Sequence, residues 1–553
     1  MGQERDRLGR APWRRAALFA ALLTAGVVEA QETDLEKRLH DLETMMQQMS
    51  REVDSLRSQV EAEKAARQAA EAEAAKAREA ASSAPPAAAV PAAGAPPDAP
   101  TRQELNEALA TAQEAKEQAA TMQQRFEQQG VQANFTDGVT LQDPRGRWGV
   151  RVMGRAQLDY RQFLGADEAN ADTFSVRRAR LGAQATLFKD YLVQVEGEFA
   201  GTSATMTNGF LELQWFNAAR IRMGQFKPQF GLEQTLLDLQ SDFQERALTQ
   251  NILDGNGLNY DRGIMVHGSP WAPMYYAVTL SNGTGVNTDE QARSATEART
   301  DSKDITLRGV IDFARVFDWR DSVVHAGLSY KNGKEANRQS AQADAFAAPS
   351  FRTEARGLTF FTPQSFFGAG GTTGEVERTI EAAEFSSSWK SLRFTGEWWR
   401  AKYAGLRTPT AGSPFEFSRD ITASYVSLLW LMSGETWSDF YANGYWQKIR
   451  PNNRFSLDSG GGWGAWELGL RYSTMDATDF RASNPPGTGQ LSTATLVPTN
   501  KADAWTVQLK WIHNLYSRWL VSYVRTNFDT PVNVNGINVG HEDAVLFRAQ
   551  VDF

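Results

Sequence analysis

The stretch Trp-Gly-Val-Arg-Val-Met-Gly-Arg-Ala-Gln-Leu-Asp-Tyr, residues 148–160, decides the fold. Its apolar face begins and ends with aromatic side chains, Trp148 and Tyr160, whereas the opposite face carries Arg151, Arg155 and Asp159. Successive side chains of a strand point to opposite faces, so this period of two predicts a β-strand with one apolar and one polar side. Aromatic residues at both ends of the apolar face are typical of a strand that crosses a membrane.

Later segments repeat this alternation up to the final residue. The clearest repeats are residues 181–187, 191–199, 466–473, 505–511 and 545–553. Strands of about 10 residues, joined by turns and loops, give roughly 16 antiparallel strands over residues 146–553, and a barrel of that size encloses a water-filled lumen. We therefore predict an all-β transmembrane barrel. The alternative is a soluble β-sandwich whose last strand ends in an aromatic residue by chance.

Composition excludes several classes of protein. The chain has 553 residues with 11% aromatics, a mean hydropathy of −0.46 and a formal net charge of −8. After the N-terminus, no segment offers the ~18 consecutive apolar residues of a transmembrane helix, which argues against a helical membrane protein. The absence of cysteine excludes disulfides and thiolate metal sites. The negative charge argues against a generally basic nucleic-acid binder.

The N-terminal region is predicted to be helical and to precede the barrel. Residues 1–30 have the order of a secretory signal peptide, namely arginines, then an apolar core, then small residues, although an amphipathic surface helix is the alternative. Residues 31–80 begin with a heptad repeat that predicts a self-associating coiled coil, of two or three strands. An Ala/Pro-rich linker (81–100), a second helix (101–130) and a connector (131–145) follow.

Connections between the strands are predicted from turn-forming residues. Residues 188–190 and 514–517 are short and suit the periplasmic rim, whereas residues 282–302 and 332–377 suit outer loops. Residues 227–260 combine turn formers with acids, so we predict that this segment folds into the lumen, with an ordinary outer loop as the alternative.

Several short pieces of the chain resemble the phosphate-selective porin O and P family of outer-membrane porins. The resemblance runs from about residue 146 to the end, and the order of the pieces carries it more than any one piece. The pieces are residues 154–160, 177–179, 224–226, 230–233, 245–246, 433–435, 464–467, 471–472 and 547–550.

This resemblance implies a homotrimer of 16-stranded barrels, each with its own pore narrowed by an inward loop. It also implies that arginines on the first strands and on that loop bind the anion, and the matching residues here are Arg155, Arg177, Arg178 and Arg246. The place of a family lysine holds Gln234, and positions that carry serine in phosphate-selective members hold Leu237 and Asp238. This departure leaves a general or organic-solute porin as the alternative.

Arginine in a narrow pore has a direct chemical rationale. A guanidinium replaces the hydration water of an anion with charge-assisted, bidentate hydrogen bonds, and several sites of moderate strength allow throughput. We therefore add Arg151 and Arg180, on the same predicted faces, to the pore-lining arginines. Lys227, Gln234 and Asp238 are assigned to the predicted constriction loop. A bulge within residues 175–180 is expected because the alternation slips there.

In the alternative interpretation, the arginines only form ion pairs with acids of the lumen wall. It concerns Arg151, Arg155, Arg177, Arg178 and Arg180. The candidate partners are Asp159, Glu196, Glu198 and Glu212. The five histidines are scattered, and we find no metal-ligand spacing, no nucleophile elbow and no phosphate-binding glycine loop, so we expect no enzyme, no catalytic residue, no metal and no cofactor.

The end of the chain predicts its location and partners. A last strand that stops at the aromatic Phe553 resembles the signal that the barrel-assembly machinery recognises in outer-membrane proteins. We expect an outer-membrane porin, with the coiled coil in the periplasm, that contacts outer-membrane lipid and carries small anions, phosphate or polyphosphate among them. A third hypothesis is structural, in which the barrel anchors a coiled coil that holds the cell wall or a periplasmic partner.

Overall fold

In the computed structural model, the described residues are 132–134, 139–143, 146–165, 170–254, 258–286, 302–336, 350–361, 375–407, 415–457, 461–480, 499–534 and 536–553. The chain divides into two compact units, Met1–Thr111 and Ala112–Phe553, and every described residue belongs to the second. The predicted signal peptide, coiled coil, linker and second helix lie outside the described residues. None of the described helices has both the length and the apolar character needed to span a membrane.

Sixteen antiparallel strands form a closed β-barrel, which confirms the predicted fold class. Two short strands precede them, β1 (Gln132–Asn134) and β2 (Val139–Gln142). The barrel strands are β3 (Trp148–Leu164), β4 (Thr173–Leu187), β5 (Tyr191–Glu198), β6 (Thr205–Phe216), β7 (Ala219–Phe226), β8 (Asp261–Gly268), β9 (Met274–Ser281), β10 (Asp304–Asp312), β11 (Ser322–Ala336), β14 (Glu375–Trp389), β15 (Leu392–Arg407), β16 (Phe415–Leu431), β19 (Ala465–Asp476), β20 (Lys501–Ile512), β21 (Ser517–Val534) and β22 (Ile537–Asp552). The sheet closes where β22 pairs with β3.

The predicted alternation of faces is confirmed along the barrel wall. On β3, Leu158 is exposed on the outside whereas its neighbour Asp159 is buried inside. On β19, Leu470 is likewise exposed and Arg471 is buried. Charged groups on the lipid face of a barrel cost ~2–4 kcal/mol at the bilayer midplane, which explains why the polar face turns to the lumen.

One edge of β3 is shared by two pieces of chain, the C-terminal segment and β2. The register of β22 along this edge runs from Asp543 opposite Leu164 to Asp552 opposite Arg155. The terminal Phe553 exchanges two backbone hydrogen bonds with Gly154, both of 3.0 Å. β2, which pairs with β1, continues the sheet along the remaining residues of β3. The predicted connector, residues 131–145, therefore contains two strands that extend the barrel wall.

The segment between β7 and β8 folds into the lumen, as predicted for residues 227–260. It contains the helices α1 (Leu232–Thr235) and α2 (Asn251–Asp254) and two 3-10 turns, Asp238–Gln240 and Leu248–Gln250. Its backbone bonds to the far wall of the barrel, where the Gln244 amide donates to Gln508 at 2.7 Å. We call this segment the inward loop.

A second segment also folds inward, and here the prediction of an outer loop over residues 332–377 was wrong in part. The strands β11 and β14 extend into this range, and between them residues 350–361 form a hairpin of β12 (Phe351–Arg352) and β13 (Thr359–Phe361). We call this hairpin the outer hairpin because it lies within the predicted outer loop. Its aromatic side chains are buried at 0–1% exposure in a cluster with wall residues such as Trp399 and Tyr403. Burial of these rings stabilises the inward position.

A third inward segment lies between β16 and β19. It enters the lumen from the end of the barrel that carries the short turns 188–190 and 514–517. It contains a 3-10 turn, Trp437–Phe440, and the strands β17 (Tyr441–Ala442) and β18 (Tyr445–Trp446). The guanidinium carbon of Arg393 lies 4.1 Å from the ring centre of Trp437 and 4.7 Å from that of Trp446. These two cation–π contacts hold the segment against the wall.

Candidate functional site

A β-bulge in β4 turns two adjacent arginines into the lumen. The register between β3 and β4 shifts here, and Arg177 is the extra residue of the bulge. Neighbouring side chains of a regular strand point to opposite faces, but Arg177 contacts Glu245 and Arg178 contacts Asp238, both on the inward loop. The irregular register predicted for residues 175–180 is confirmed, and it places both arginines inside the barrel.

Four predicted arginines converge on one carboxylate, that of Asp238. Arg180 lies 2.9 Å, Arg178 3.1 Å and Arg155 3.6 Å from its Oδ2 atom, and Arg246 lies 3.1 Å from Oδ1. Burial disfavours the ionised form, but the charges of Arg178, Arg180 and Arg246 outweigh it and hold the pKa of the Asp238 carboxyl well below its usual range. Asp238 is therefore a permanent negative charge among these arginines.

A second carboxylate of the inward loop, Glu245, has an arginine set of its own. Arg177 and Arg548 lie 2.8 Å from it, Arg161 lies 3.2 Å and Arg356 4.0 Å from it. Burial again opposes ionisation, and Arg177, Arg548 and Arg356 keep the pKa of Glu245 well below its usual value. The inward loop is thus fastened to the arginine wall at two charged points.

The acids of the lumen wall also pair with arginines, as the alternative interpretation proposed. Arg180 bonds to Glu198 at 2.8 Å and to Glu196 at 3.3 Å, while Glu212 pairs with Arg222 and Asp159 pairs with Arg548. Of the arginines predicted from sequence, Arg180 follows this alternative. Arg155, Arg177 and Arg178 contact the loop acids Asp238 and Glu245, which were not proposed as their partners.

Gln234 and Lys227 lie side by side in the inward loop. The Lys227 ammonium donates to the backbone oxygen of Gln234 at 2.8 Å, and the Gln234 side chain accepts from Arg246 at 2.9 Å. Burial, and then the charge of Arg246, lowers the pKa of Lys227 well below its usual value. Lys227 is thus held by backbone oxygens of the inward loop, and Gln234 is held by Arg246.

The arginines border an open cavity of ≈ 580 Å³ in the lumen. Arg151, Arg155 and Arg180 line one side of it, and Asp238 and Lys227 of the inward loop line another. The third inward segment adds Tyr445, Gln447 and Lys448. Several guanidinium groups therefore lie at the wall of this cavity.

Glycine and a buried glutamate fix the start of the inward loop. Gly231 has a φ of 61°, and a side chain there would collide with Glu397 and Trp399. The Glu397 carboxylate accepts from the backbone amides of Leu232 at 3.0 Å and Glu233 at 2.7 Å. These contacts explain the sequence Phe-Gly-Leu-Glu at residues 230–233 in terms of backbone geometry.

Sequence reasoning missed three arginines of the Glu245 set, namely Arg161, Arg356 and Arg548. Two of them carried a usable signal, because Arg161 shares the strand face of Arg155 and Arg548 lies on the polar face of the last strand. Arg356 lies in the outer hairpin, and only the apolar residues near it, not a strand pattern of its own, indicated an inward position.

Comparisons with known proteins identify the family of this chain. The family model for phosphate-selective porin O and P matches residues 150–553. Porin O of Pseudomonas aeruginosa is 23% identical over 437 residues, which cover 75% of this chain and 91% of the relative. Among solved structures, OprB of Pseudomonas putida (TM-score 0.43, 10% identity, 73% of this chain and 94% of that one) and OmpF of Salmonella typhi in complex with daunomycin (TM-score 0.42, 11% identity, 74% and 98%) are similar. The chain belongs to the phosphate-selective porin O and P family of outer-membrane porins.

Proposed function

We propose that this porin admits anions in preference to cations by passive diffusion past the arginines of its lumen. One observation carries the proposal: eight arginines contact the two loop carboxylates Asp238 and Glu245. Adding the wall acids that contact the same arginines, Asp159, Glu196 and Glu198, brings the acids to five. Positive charge is therefore in excess at this level of the lumen.

This excess charge acts on solutes through the cavity. An anion that leaves bulk water gains bidentate, charge-assisted hydrogen bonds from guanidinium groups, whereas a cation meets repulsion. Arg151, Arg155 and Arg180 lie on one wall of the cavity, so an anion can pass from one to the next. A series of moderate sites permits exchange, which a single tight site would prevent.

The proposal also concerns which solute passes through the pore. Phosphate and polyphosphate match the family and the arginine forks. Gln234 and Asp238 favour a second candidate, a general or organic-solute porin without phosphate specificity, because Asp238 already occupies the guanidinium donors that a phosphate would use. Apolar and aromatic groups at the cavity wall, such as Phe210, Tyr260 and Leu239, also suit an organic body.

Ion selectivity of the purified porin in a planar bilayer tests the proposal. Across a gradient of potassium chloride, we expect a reversal potential of the sign that indicates chloride preference. The double variant Arg155→Ala with Arg178→Ala removes two of the converging charges and should reduce that preference. A cation-selective wild-type pore would refute it. Millimolar phosphate that leaves the chloride current unchanged favours the general porin over phosphate selectivity.

We also propose a homotrimer in the outer membrane, delivered by the barrel-assembly machinery through Phe553. Crosslinking of the full chain should capture trimers, and monomers alone would contradict the trimer. Deletion of residues 31–130, the predicted coiled coil through the second helix, separates the porin from the tethering hypothesis. Unchanged conductance together with loss of envelope attachment favours the tether, whereas normal attachment favours the porin role alone.

A further inference from the structure

We propose that the Asp238 carboxylate is a tethered anion, which occupies the position of a permeating anion among the arginines and keeps that site weak. This inference rests on the proposed function and concerns the same lumen. It assigns to Asp238 the role of a specificity-determining residue that disfavours multiply charged anions.

The surroundings of Asp238 have the form of an oxyanion site. Its Oδ2 atom lies 2.9 Å from Arg180, 3.1 Å from Arg178 and 3.6 Å from Arg155, while Arg246 reaches Oδ1 at 3.1 Å. Four guanidinium groups around one small, buried carboxylate are more than a structural ion pair requires. A free carboxylate or phosphate in the same place would meet the same donors.

A second observation shows that the site has spare donors. Arg155 is nine-tenths buried, and its Nε and Nη1 groups have no hydrogen-bond partner among the described residues. Arg155, Arg180 and Asp238 all line the cavity, and the two buried donors of Arg155 lie just beneath this wall. Buried guanidinium donors without acceptors are costly, and an arriving anion would satisfy them.

The tethered carboxylate then controls how strongly the solute is held. An anion bound to Arg155 and Arg180 lies beside Asp238, and like charges at such distances repel each other. Repulsion is greater for a doubly charged anion than for a singly charged one, so the site favours monovalent anions, carboxylates above all. It also speeds release, because Asp238 recovers its arginine contacts when the solute leaves.

Contacts other than those of Asp238 itself also hold the inward loop in place. Leu232 and Glu233 are anchored by Glu397, and Glu233 itself accepts from Arg471 at 3.2 Å. Neutralisation of Asp238 therefore removes one of the two charged points of the loop, while Glu245 and the Glu397 contacts remain. This separation makes the residue suitable for a test by substitution.

The test is Asp238→Asn, an isosteric change, in single-channel recordings of the full chain. We expect a shift of the reversal potential toward anions and block of the chloride current by inorganic phosphate at roughly tenfold lower concentration than in wild type. Asp238→Glu keeps the charge and should retain wild-type selectivity. Asp420→Asn, on the outer surface beside Arg400, makes the same chemical change away from the lumen and should have no effect.

Each outcome is informative. If Asp238→Asn shows wild-type selectivity and wild-type phosphate block, Asp238 is not the tethered anion. If Asp238→Glu changes selectivity as much as Asp238→Asn, loop geometry rather than charge is responsible, and the inference fails. A cation-selective wild type that still shifts toward anions in Asp238→Asn refutes the proposed function but supports the role of Asp238. Matching electrophoretic mobility of unheated samples confirms that the variants fold.

Discussion

The lumen of this barrel has two unlike sides. Arginines of strands β3 to β7 border a cavity of ≈ 580 Å³. Asp238 and Glu245 of the inward loop form ion pairs with these arginines. Inside strands β14 to β21, Trp399, Tyr403 and Phe528 pack with the aromatic rings of the outer hairpin. One side is charged and open, whereas the other carries a filled apolar cluster beside buried charged residues such as Arg393 and Lys510.

This contrast assigns different tasks to the two sides. The apolar side behaves like the core of a soluble protein, because burial of its rings fixes the outer hairpin and part of the inward loop. The charged side contributes less net stability, since pairing of buried charges is offset by their desolvation. We infer that the apolar side determines how much of the lumen stays open and that the arginine side determines which ions use it.

The largest effect is expected where the two sides meet, at Arg471. Its guanidinium is buried and bonds to Glu233 and the Glu245 backbone of the inward loop and to Glu354 of the outer hairpin. Arg471→Met leaves these acids buried without their partner and should lower the free energy of unfolding in detergent by roughly 4 kcal/mol. Conductance should also become noisier as both segments loosen. A stable, quiet variant would show that Arg471 does not join the two sides.

A smaller loss is expected from the apolar side alone. Phe360 is 1% exposed and packs 5.4 Å, ring centre to ring centre, from Phe528. Phe360→Ala should lower the free energy of unfolding by about 3 kcal/mol and raise conductance, because the outer hairpin is held less firmly. The ratio of anion to cation permeability should stay at the wild-type value. A changed ratio would break the proposed division between the sides.

The matching change on the charged side is Arg155→Gln. Asp238 keeps three other arginines, so the free energy of unfolding should fall by only about 1 kcal/mol. Anion preference, measured as the reversal potential in a salt gradient, should nevertheless decrease. A large loss of stability with unchanged selectivity would reverse the roles that we assign to the two sides.

The smallest effect is expected outside the lumen. Arg400 and Asp420 pair on the outer surface of β15 and β16, where their side chains are 40% and 26% exposed. Exposed pairs contribute about 0–1 kcal/mol, so Arg400→Ala should leave both stability and selectivity close to wild type. This variant serves as the control for loss of an arginine. A selectivity change as large as that of Arg155→Gln would show that selectivity does not arise in the lumen.

Much of the barrel could be predicted from sequence because the cause is local. Alternation along β3 directs Arg155 inward whatever its partners are, and the slip of alternation in β4 signalled the bulge at Arg177. The inward loop was predicted from its turn formers and acids. These features depend on neighbouring residues only.

The partners of the arginines could not be predicted in the same way. Arg178 and Asp238 are 60 residues apart in the sequence. Their contact depends on which part of the barrel wall the inward loop packs against. The outer hairpin was missed because a loop between two strands can leave or enter the barrel with the same turn chemistry. A signal existed, since Phe351, Phe360 and Phe361 are costly to expose in an outer loop.

Anion preference in the lumen is tested most directly by the reversal potential of the porin in a bilayer across a potassium chloride gradient, compared with that of the Arg155→Ala, Arg178→Ala double variant. We predict chloride preference in the wild type and a clear reduction in the variant. Cation preference in the wild type, or the same anion preference in both proteins, would contradict it.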